Sequence, residues 1–479
     1  MNMVTTTEPD GAPRIATLDI LRGIAILGIL FMNINDMGGS FWASSTDIRH
    51  LGWTTADQIA WWLREVLADG TARCLLEMLF GVGMVILTER AAAKLAPPPD
   101  YPSFLSVAAD TLFGPLRVLR AYYWRNVVLF LFGLVHLFIL LWPGDILHTY
   151  GIAAMVAFLF RRLEPRALLM LGLVMAMLQL LGGGIGVHMA QQARIEVPAL
   201  EARLAAGEKL TPMEKSKVET FAQRRAEGLK QKNDQKRRIS REDRHRSAAT
   251  GTFGSWAQDA RTGILFIWGV ADGIGDSVML EPLFVWEAAG TMLIGAALFK
   301  WGIIQGRRSR RFYAVMAVMA YAVGLSGRAI GAYWATRFDD QPHLIDAASE
   351  VLRLATTFGH IGLVNLMIMS IGGAALLRPF VAAGRAALTL YVLQTIICLW
   401  ILYPPFALGL YGKTGWAVMM LTALAIDIAL LWLANMWLRH FAIAPVEWAW
   451  RSLVARRALP WRRRPIVSDN SSAGGIAAA

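Results

Sequence analysis

Long apolar runs separated by short polar connections dominate the chain. A helix needs about 20 mainly apolar residues to cross a lipid bilayer. Ten runs approach that length, and they are residues 18–37, 73–89, 124–142, 145–161, 166–188, 280–301, 312–335, 355–377, 384–404 and 415–438. The pattern therefore predicts an all-α integral membrane protein, built as a bundle of about ten transmembrane helices.

One strongly polar segment interrupts this pattern. Residues 190–250 hold 15 Lys and Arg against nine Asp and Glu, and their composition favours helix. We expect one or two solvated helices projecting from the bundle, with a flexible tether as the alternative. The apolar stretch 264–270 is too short to span and is predicted to lie at the interface. The predicted organisation is an N-terminal transmembrane half (1–189), a charged extracytoplasmic helical insertion (190–260), a C-terminal transmembrane half (261–455) and a basic, then disordered, cytoplasmic tail (456–479).

Composition and charge support a membrane protein and give it an orientation. The chain is 56% hydrophobic and only 17% charged, with a formal net charge of +12. Its basic residues concentrate in every second connection, which places those connections and both termini in the cytoplasm. A bundle in lipid offers no element that reads a nucleic-acid groove, so nucleic acid is not an expected partner. Cys74 and Cys398 form neither a disulfide framework nor a metal site.

A charged side chain inside a span is costly and marks a candidate functional site. Asp19 and Arg22 are three residues apart in the first span and can pair on one helix face. The pair either snorkels at the cytoplasmic edge, or presents Arg22 to a phosphate or carboxylate. Asn33 lies eleven residues after Arg22, near the outer leaflet.

A second cluster follows the third span. Pro143 and Gly144 predict a turn at the outer face, and Asp145 can cap the next helix. His148 lies three residues after Asp145, so this carboxylate could instead orient the imidazole as a general base. His136 lies deeper in the preceding span, where packing is the alternative to a functional role.

Weaker candidates lie elsewhere in the chain. They could line a polar cavity or bind across helices, and they are Glu287, His360, Tyr391, Gln394 and the outer-loop His50.

Several segments, in this order, resemble the YeiB-like family, domain-of-unknown-function family 418. They are LDILRGIAILGILFMNI from Leu18, LLEMLFGVG from Leu75, LFGLVHLFILLWPGDILHTYGI from Leu131, EAAGTMLIGAALFKWG from Glu287, GRAALTLYVLQTIICLWILY from Gly384 and APVEWAWR from Ala444. More distantly, the opening LD-x-x-RG is similar to that of acyltransferase family 3 and heparan-alpha-glucosaminide N-acetyltransferase. The first of these has a catalytic His where this chain has Asn33. The second relies on an outer-loop His that His50 resembles.

This resemblance implies a transmembrane acyltransferase in the bacterial cytoplasmic membrane. Arg22, paired with Asp19, and Arg125 would hold a cytoplasmic acyl-CoA, and no metal is expected. His148 with Asp145, or His50, would act as base towards an outer sugar, glycan or small-molecule acceptor. Two alternatives stay open: a small-solute transporter whose path is lined by His136, Glu287 and His360, and a non-catalytic accessory protein. Homo-oligomerisation also stays open.

Overall fold

The described part of the chain is helical throughout. The computed structural model describes residues 15–44, 46–95, 104–268, 281–338 and 341–462, and no β-strand is present within these ranges. Eight of the helices there are long and apolar enough to cross a membrane. The predicted all-α membrane bundle is therefore confirmed. The predicted tail lies mostly outside the described residues.

The N-terminal half contains seven α-helices. They are α1 (Ala16–Gly38), α2 (Phe41–Ser44), α3 (Thr55–Leu63), α4 (Thr71–Leu95), α5 (Phe104–Phe138), α6 (Leu147–Phe158) and α7 (Pro165–Ala205), with a π-helix at Arg64–Ala68 between α3 and α4. The insertion contributes α8 (Pro212–Arg246) and α9 (Phe253–Ile267).

The C-terminal half adds nine α-helices within the described residues. They are α10 (Glu281–Lys300), α11 (Arg310–Ala335), α12 (Leu344–Ala347), α13 (Ser349–Ile368), α14 (Ile371–Leu377), α15 (Phe380–Arg385), α16 (Ala387–Ile396), α17 (Trp416–His440) and α18 (Pro445–Ala455). A second π-helix, Ile397–Leu402, continues α16.

Two of the ten predicted spans coincide with helices that are short. The predicted span 145–161 contains only the 12 residues of α6, a length of about 18 Å. The predicted span 384–404 contains α16 and the second π-helix, which together form a shorter apolar helix. Since the hydrocarbon core is about 30 Å thick, α6 cannot cross it alone. The count of about ten spans therefore stays a prediction.

Small residues allow the central helices to approach closely. A Cβ atom on Gly81 of α4 would collide with the Met292 carbonyl of α10, and one on Gly295 would collide with the Met78 carbonyl. Glycine at both contact points thus lets α4 and α10 pack backbone to backbone, as small residues do at membrane helix interfaces.

The charged insertion is helical and begins as a continuation of α7. This helix has 41 residues, so it extends well beyond the thickness of a bilayer. Its end pairs with the start of α8 through ion pairs of Arg203 with Glu208 and Glu214. The far end of α8 returns to the bundle, where Glu242 accepts a 2.5 Å hydrogen bond from Ser40, just beyond α1. The insertion thus lies at the opposite end of α1 from Arg22, while its side of the membrane stays a prediction.

Helix α9 covers the turn between α5 and α6. Gly263 of α9 lies against Pro143 of that turn. Trp256 packs edge-on against Trp400, whose indole N–H donates to the Leu140 carbonyl at 3.1 Å. The insertion therefore closes over the part of the bundle that contains Asp145 and His148.

Candidate active site

The turn between α5 and α6 brings Asp145 and His148 together. Leu141 adopts a left-handed conformation with φ of 58°, and the chain then reverses through Pro143. Asp145 Oδ2 accepts the backbone N–H of His148 at 3.0 Å and lies 2.9 Å from His148 Nδ1. The same carboxylate oxygen therefore stabilises the start of α6 and orients the imidazole.

Asp145 is shared with a second imidazole. Its Oδ1 lies 2.8 Å from His136 Nδ1, although that ring is not aligned for a hydrogen bond. The Tyr391 hydroxyl donates to the same oxygen at 3.5 Å and accepts the backbone N–H of Ile146 at 3.3 Å. The Asp145 side chain is fully buried, and those of His136 and His148 are almost so. One buried carboxylate thus faces two histidines and a tyrosine.

The contacts continue beyond each histidine. His148 Nε2 lies 3.2 Å from Glu281 Oε1, which also accepts a 2.9 Å hydrogen bond from the Thr149 hydroxyl. At the other end, His136 Nε2 lies 2.9 Å from the Thr395 hydroxyl. We call this group the imidazole cluster; it comprises His136, Asp145, His148, Glu281, Tyr391 and Thr395. Glu281 is its most exposed carboxylate, since 16% of that side chain is accessible.

The imidazole cluster lies deep in the bundle. Gln394, which precedes Thr395, donates to the carbonyl of Ile26, near the middle of α1. Because α6 is short, the turn before it stops well inside the bundle. A Cβ atom on Gly133 would collide with the backbone of His148, so glycine there lets α5 and α6 meet at this depth.

A second buried polar group lies beside the first. We call it the arginine cluster; it comprises Arg73, Glu77, Glu287, Glu350 and Arg353. Glu287 Oε1 lies 2.5 Å from Arg73 and 2.7 Å from Arg353. Arg353 also donates two hydrogen bonds to Glu350, at 2.6 and 2.8 Å. These contacts join α4, α10 and α13.

Tyr150 connects the two clusters. Its hydroxyl donates to Glu77 at 3.5 Å and to the Arg73 carbonyl at 3.3 Å, and it lies two residues after His148. Glu281 and Glu287 are six residues apart on α10, about 9 Å along the helix. The clusters therefore form one polar region across six helices, α4, α5, α6, α10, α13 and α16.

The chain is similar to proteins of an uncharacterised family. Residues 298–457 match a family described as "Protein of unknown function (DUF418)". The chain is 26% identical to the uncharacterized protein YxaH of Bacillus subtilis, over 92% of the chain and 94% of that protein. It is 26% identical to the uncharacterized protein YeiB of Escherichia coli, over 93% and 98%. These similarities support a YeiB-like DUF418 family for the chain. No solved structure matches it.

The residues predicted to bind the donor lie away from the imidazole cluster. Arg22 pairs with Asp19 at 3.0 Å, and its side chain is 36% exposed. The guanidinium of Arg125 stacks 4.2 Å above the ring of Trp450 in α18. Both arginines lie towards the end of the bundle opposite the insertion. Whether they bind a ligand stays a prediction.

His50 lies in the loop after α2 and has different surroundings from His148. Its Nδ1 lies 2.7 Å from the Asp47 carbonyl, to which it donates, and its Nε2 is buried with no hydrogen-bond partner in the described part of the chain. Burial lowers the pKa of His50 from its ordinary value. The ring lies 6.0 Å from that of Trp416. Among the described residues, no carboxylate contacts the His50 ring, in contrast to His148.

The other predicted polar residues fall into separate places. His360 lies 2.9 Å from the Leu67 carbonyl and 2.8 Å from the Tyr321 hydroxyl, so it binds the first π-helix. Asn33 is half-buried on α1. Gln394 faces away from the imidazole cluster, towards Asp427.

Sequence reasoning missed several members of both clusters. Arg73, Glu77 and Glu350 were not singled out, nor were Glu281 and Thr395. Glu77 offered a signal, since it is an acidic residue within an apolar run. Glu281 offered none, because a carboxylate at the start of a helix is also a common way to complement the helix dipole. Among the described residues, no group of three or more His, Cys, Asp or Glu could hold a metal ion.

Proposed function

We propose that this chain is a membrane-bound acyltransferase that moves an acyl group from a cytoplasmic acyl-CoA to an extracytoplasmic hydroxyl or amine. The observation that carries this proposal is the orientation of His148. Its Nδ1 is held by a fully buried carboxylate, and its Nε2 faces Glu281 at the more accessible side of the cluster. A carboxylate behind Nδ1 is what orients a general base, and in the proposed reaction the acceptor hydroxyl or amine takes the place of Glu281 at Nε2.

In the proposed reaction, His148 acts through Nε2. With the Nδ1 proton directed at Asp145, the Nε2 lone pair takes a proton from the acceptor hydroxyl or amine. The acceptor atom then forms a bond to the thioester carbonyl carbon, and the carbon–sulfur bond breaks. The proton passes from Nε2 to the departing thiolate of coenzyme A. Asp145 stabilises the imidazolium that forms between these steps.

The depth of the imidazole cluster supports a donor that enters from the Arg125 end. Arg125 and His136 are eleven residues apart on α5, about 16 Å along the axis. A thioester on an extended pantetheine arm could approach His148 through part of the bundle while its phosphates stay near Arg22 and Arg125. Arginine suits this task because its fork binds phosphate oxygens bidentately.

Release of coenzyme A from labelled acetyl-CoA tests the proposal. Purified protein in detergent would be incubated with labelled acetyl-CoA and with glucosamine or glycerol as probe acceptors. We expect label transfer that His148→Ala abolishes and that His188→Ala, a change at an exposed histidine of α7, leaves intact. Transfer that is equal in both variants would exclude His148 as the base.

A proton-linked transporter is the second candidate, and a different observation favours it. Short contacts of 3.2, 2.9, 2.8 and 2.9 Å run from Glu281 through His148, Asp145 and His136 to Thr395. Such a line of titratable groups is typical of proton pathways in membranes. Vesicles containing the protein and a pH-sensitive dye would detect proton flux, which His136→Ala should stop if transport is the function.

A further inference from the structure

A buried carboxylate outside both clusters lies in the middle of α17. Asp427 is the twelfth of the 25 residues of this helix, and only 6% of it is exposed. Gln394 of α16 uses its amide nitrogen twice, donating to Asp427 Oδ1 at 3.1 Å and to the Ile26 carbonyl at 3.2 Å. Asp427 thus lies where α1, α16 and α17 meet.

Two oxygen atoms at this place have no donor among the described residues. They are Asp427 Oδ2 and Gln394 Oε1, and both are buried. Two buried acceptors without a hydrogen are unfavourable, and a buried carboxylate anion without a cation is more so. One added proton on Oδ2 would remove the charge and supply the missing donor.

The charged groups on the neighbouring elements are engaged elsewhere. Arg22 on α1 pairs with Asp19, and Arg385 on α15 donates to the Ala442 carbonyl. Asp57 on α3 accepts the Ala417 N–H. The remaining titratable groups on α1, the second π-helix and α17 itself are Asp36, Cys398, Arg439 and His440. The last two lie about 18 Å along α17 from Asp427.

We propose that Asp427 and Gln394 form a proton-binding site at the middle of the membrane. The proton comes from water and binds Asp427 Oδ2. A metal cation is a poorer occupant, because hard cations need six or more oxygen ligands and only two free ones lie here. The site does not depend on the proposed acyl transfer.

The position of the site on α16 gives it a mechanical consequence. Tyr391 and Thr395 contact the imidazole cluster from this helix, whereas Gln394 contacts Asp427. Loss of the proton would leave a buried anion that favours movement of α16 or entry of water. Either change would alter the contacts of His136 with Thr395. Proton binding at Asp427 would thus bias the geometry of the imidazole cluster.

Modification by dicyclohexylcarbodiimide tests this proposal. The reagent is apolar and reacts with protonated carboxyl groups. The full-length protein would be treated in detergent across a pH series from about 5.5 to 9 and analysed by peptide mass spectrometry. We expect modification of Asp427 that falls as the pH rises. Glu287 is the internal control, because it contacts Arg73 at 2.5 Å and Arg353 at 2.7 Å, and it should stay unmodified.

Two further measurements keep the test decisive. Asp427→Asn preserves the side-chain shape, and this variant should be monodisperse and lose the modified peptide. The series would be repeated in sodium and in choline salts at equal ionic strength. No modification of Asp427 at any pH in the folded protein would overturn the proposal. Protection by sodium alone would also overturn it, in favour of a sodium site.

Discussion

The imidazole cluster and the arginine cluster are both largely buried and share α10, yet they suit different tasks. An imidazole can both accept and donate a proton, so His136 and His148 can pass one along their contacts. A guanidinium does not lose its proton in proteins, so Arg73 and Arg353 can only neutralise the carboxylates around them. The first cluster can perform proton transfer, whereas the second fixes the positions of α4, α10 and α13. Buried charge in a membrane helix is therefore not by itself evidence for catalysis.

Removing Arg353 should have the largest effect on stability. Arg353→Ala leaves Arg73 as the remaining ion-pair partner of Glu77 and Glu287, and it removes both hydrogen bonds that Glu350 accepts from Arg353. Breaking a buried ion pair from one side costs about 3–5 kcal/mol of unfolding free energy. We expect a large fall in the thermal melting temperature in detergent, with little folded protein recovered.

The matched control for that change is Arg378→Ala, because Arg378 is exposed after α14. The melting temperature of Arg378→Ala should be close to that of the wild type. Equal melting of the two variants would show that the arginine cluster does not hold the helices together.

Removing His148 should affect activity more than stability. A general base contributes about 10²–10⁴-fold to rate. His148→Ala should therefore lower acyl transfer by at least that factor per folded molecule, measured as coenzyme A release. Its melting temperature should fall less than that of Arg353→Ala. If His148→Ala instead lowered the melting temperature more than Arg353→Ala, the imidazole cluster would be the one that stabilises the bundle. The contrast drawn between the two clusters would then be wrong.

Asp145 contacts both histidines of the imidazole cluster, so its substitution tests how far the activity depends on this carboxylate. Asp145→Asn keeps the side-chain shape but weakens the base, so we expect a smaller loss of activity than in His148→Ala. The double variant should be no slower than His148→Ala alone, since the pair acts as a unit. If the two losses of activity were fully additive in the same release assay, Asp145 and His148 would act independently, and the predicted pair would be wrong.

Arg22 tests whether an arginine outside the arginine cluster is free to bind a ligand. A charge-assisted hydrogen bond contributes about 1.5–3 kcal/mol, so Arg22→Ala should weaken coenzyme A binding by about tenfold or more. Arg22→Lys should recover little, because a point charge replaces a bidentate fork. Calorimetric titration with coenzyme A measures both. Unchanged affinity would leave Arg22 as a snorkelling residue at the membrane edge.

Substitution of His50 should have the smallest effect on stability. This residue is an isolated imidazole, whereas His136 and His148 both lie beside Asp145. Burial lowers the pKa of His50 in the folded protein. Below about pH 6.5 the unfolded chain binds a proton that folded His50 does not, so stability falls as the pH falls. His50→Gln removes this contribution. The drop in melting temperature between about pH 7.5 and 5.5 should then be smaller than in the wild type, whereas His188→Gln should leave it unchanged.

The sequence alone determined the class of structure and one pair of the candidate site. The length of each apolar run predicts membrane helices because it depends only on neighbouring residues. The three-residue spacing of Asp145 and His148 likewise predicts their contact, since it depends on one helix start. The charged insertion was also evident from its composition.

Only the tertiary structure decided which helices bring their polar residues together. His136, Glu281 and Thr395 join Asp145 and His148 from three other helices. Arg73 and Arg353 are 280 residues apart in the chain, and both contact Glu287. Such contacts depend on helix rotation and depth, which small residues such as Gly81, Gly133 and Gly295 set through backbone packing. The hydrophobic pattern of the sequence predicts neither the rotation nor the depth of a helix, because in lipid an apolar helix face can pack against many other helices equally well.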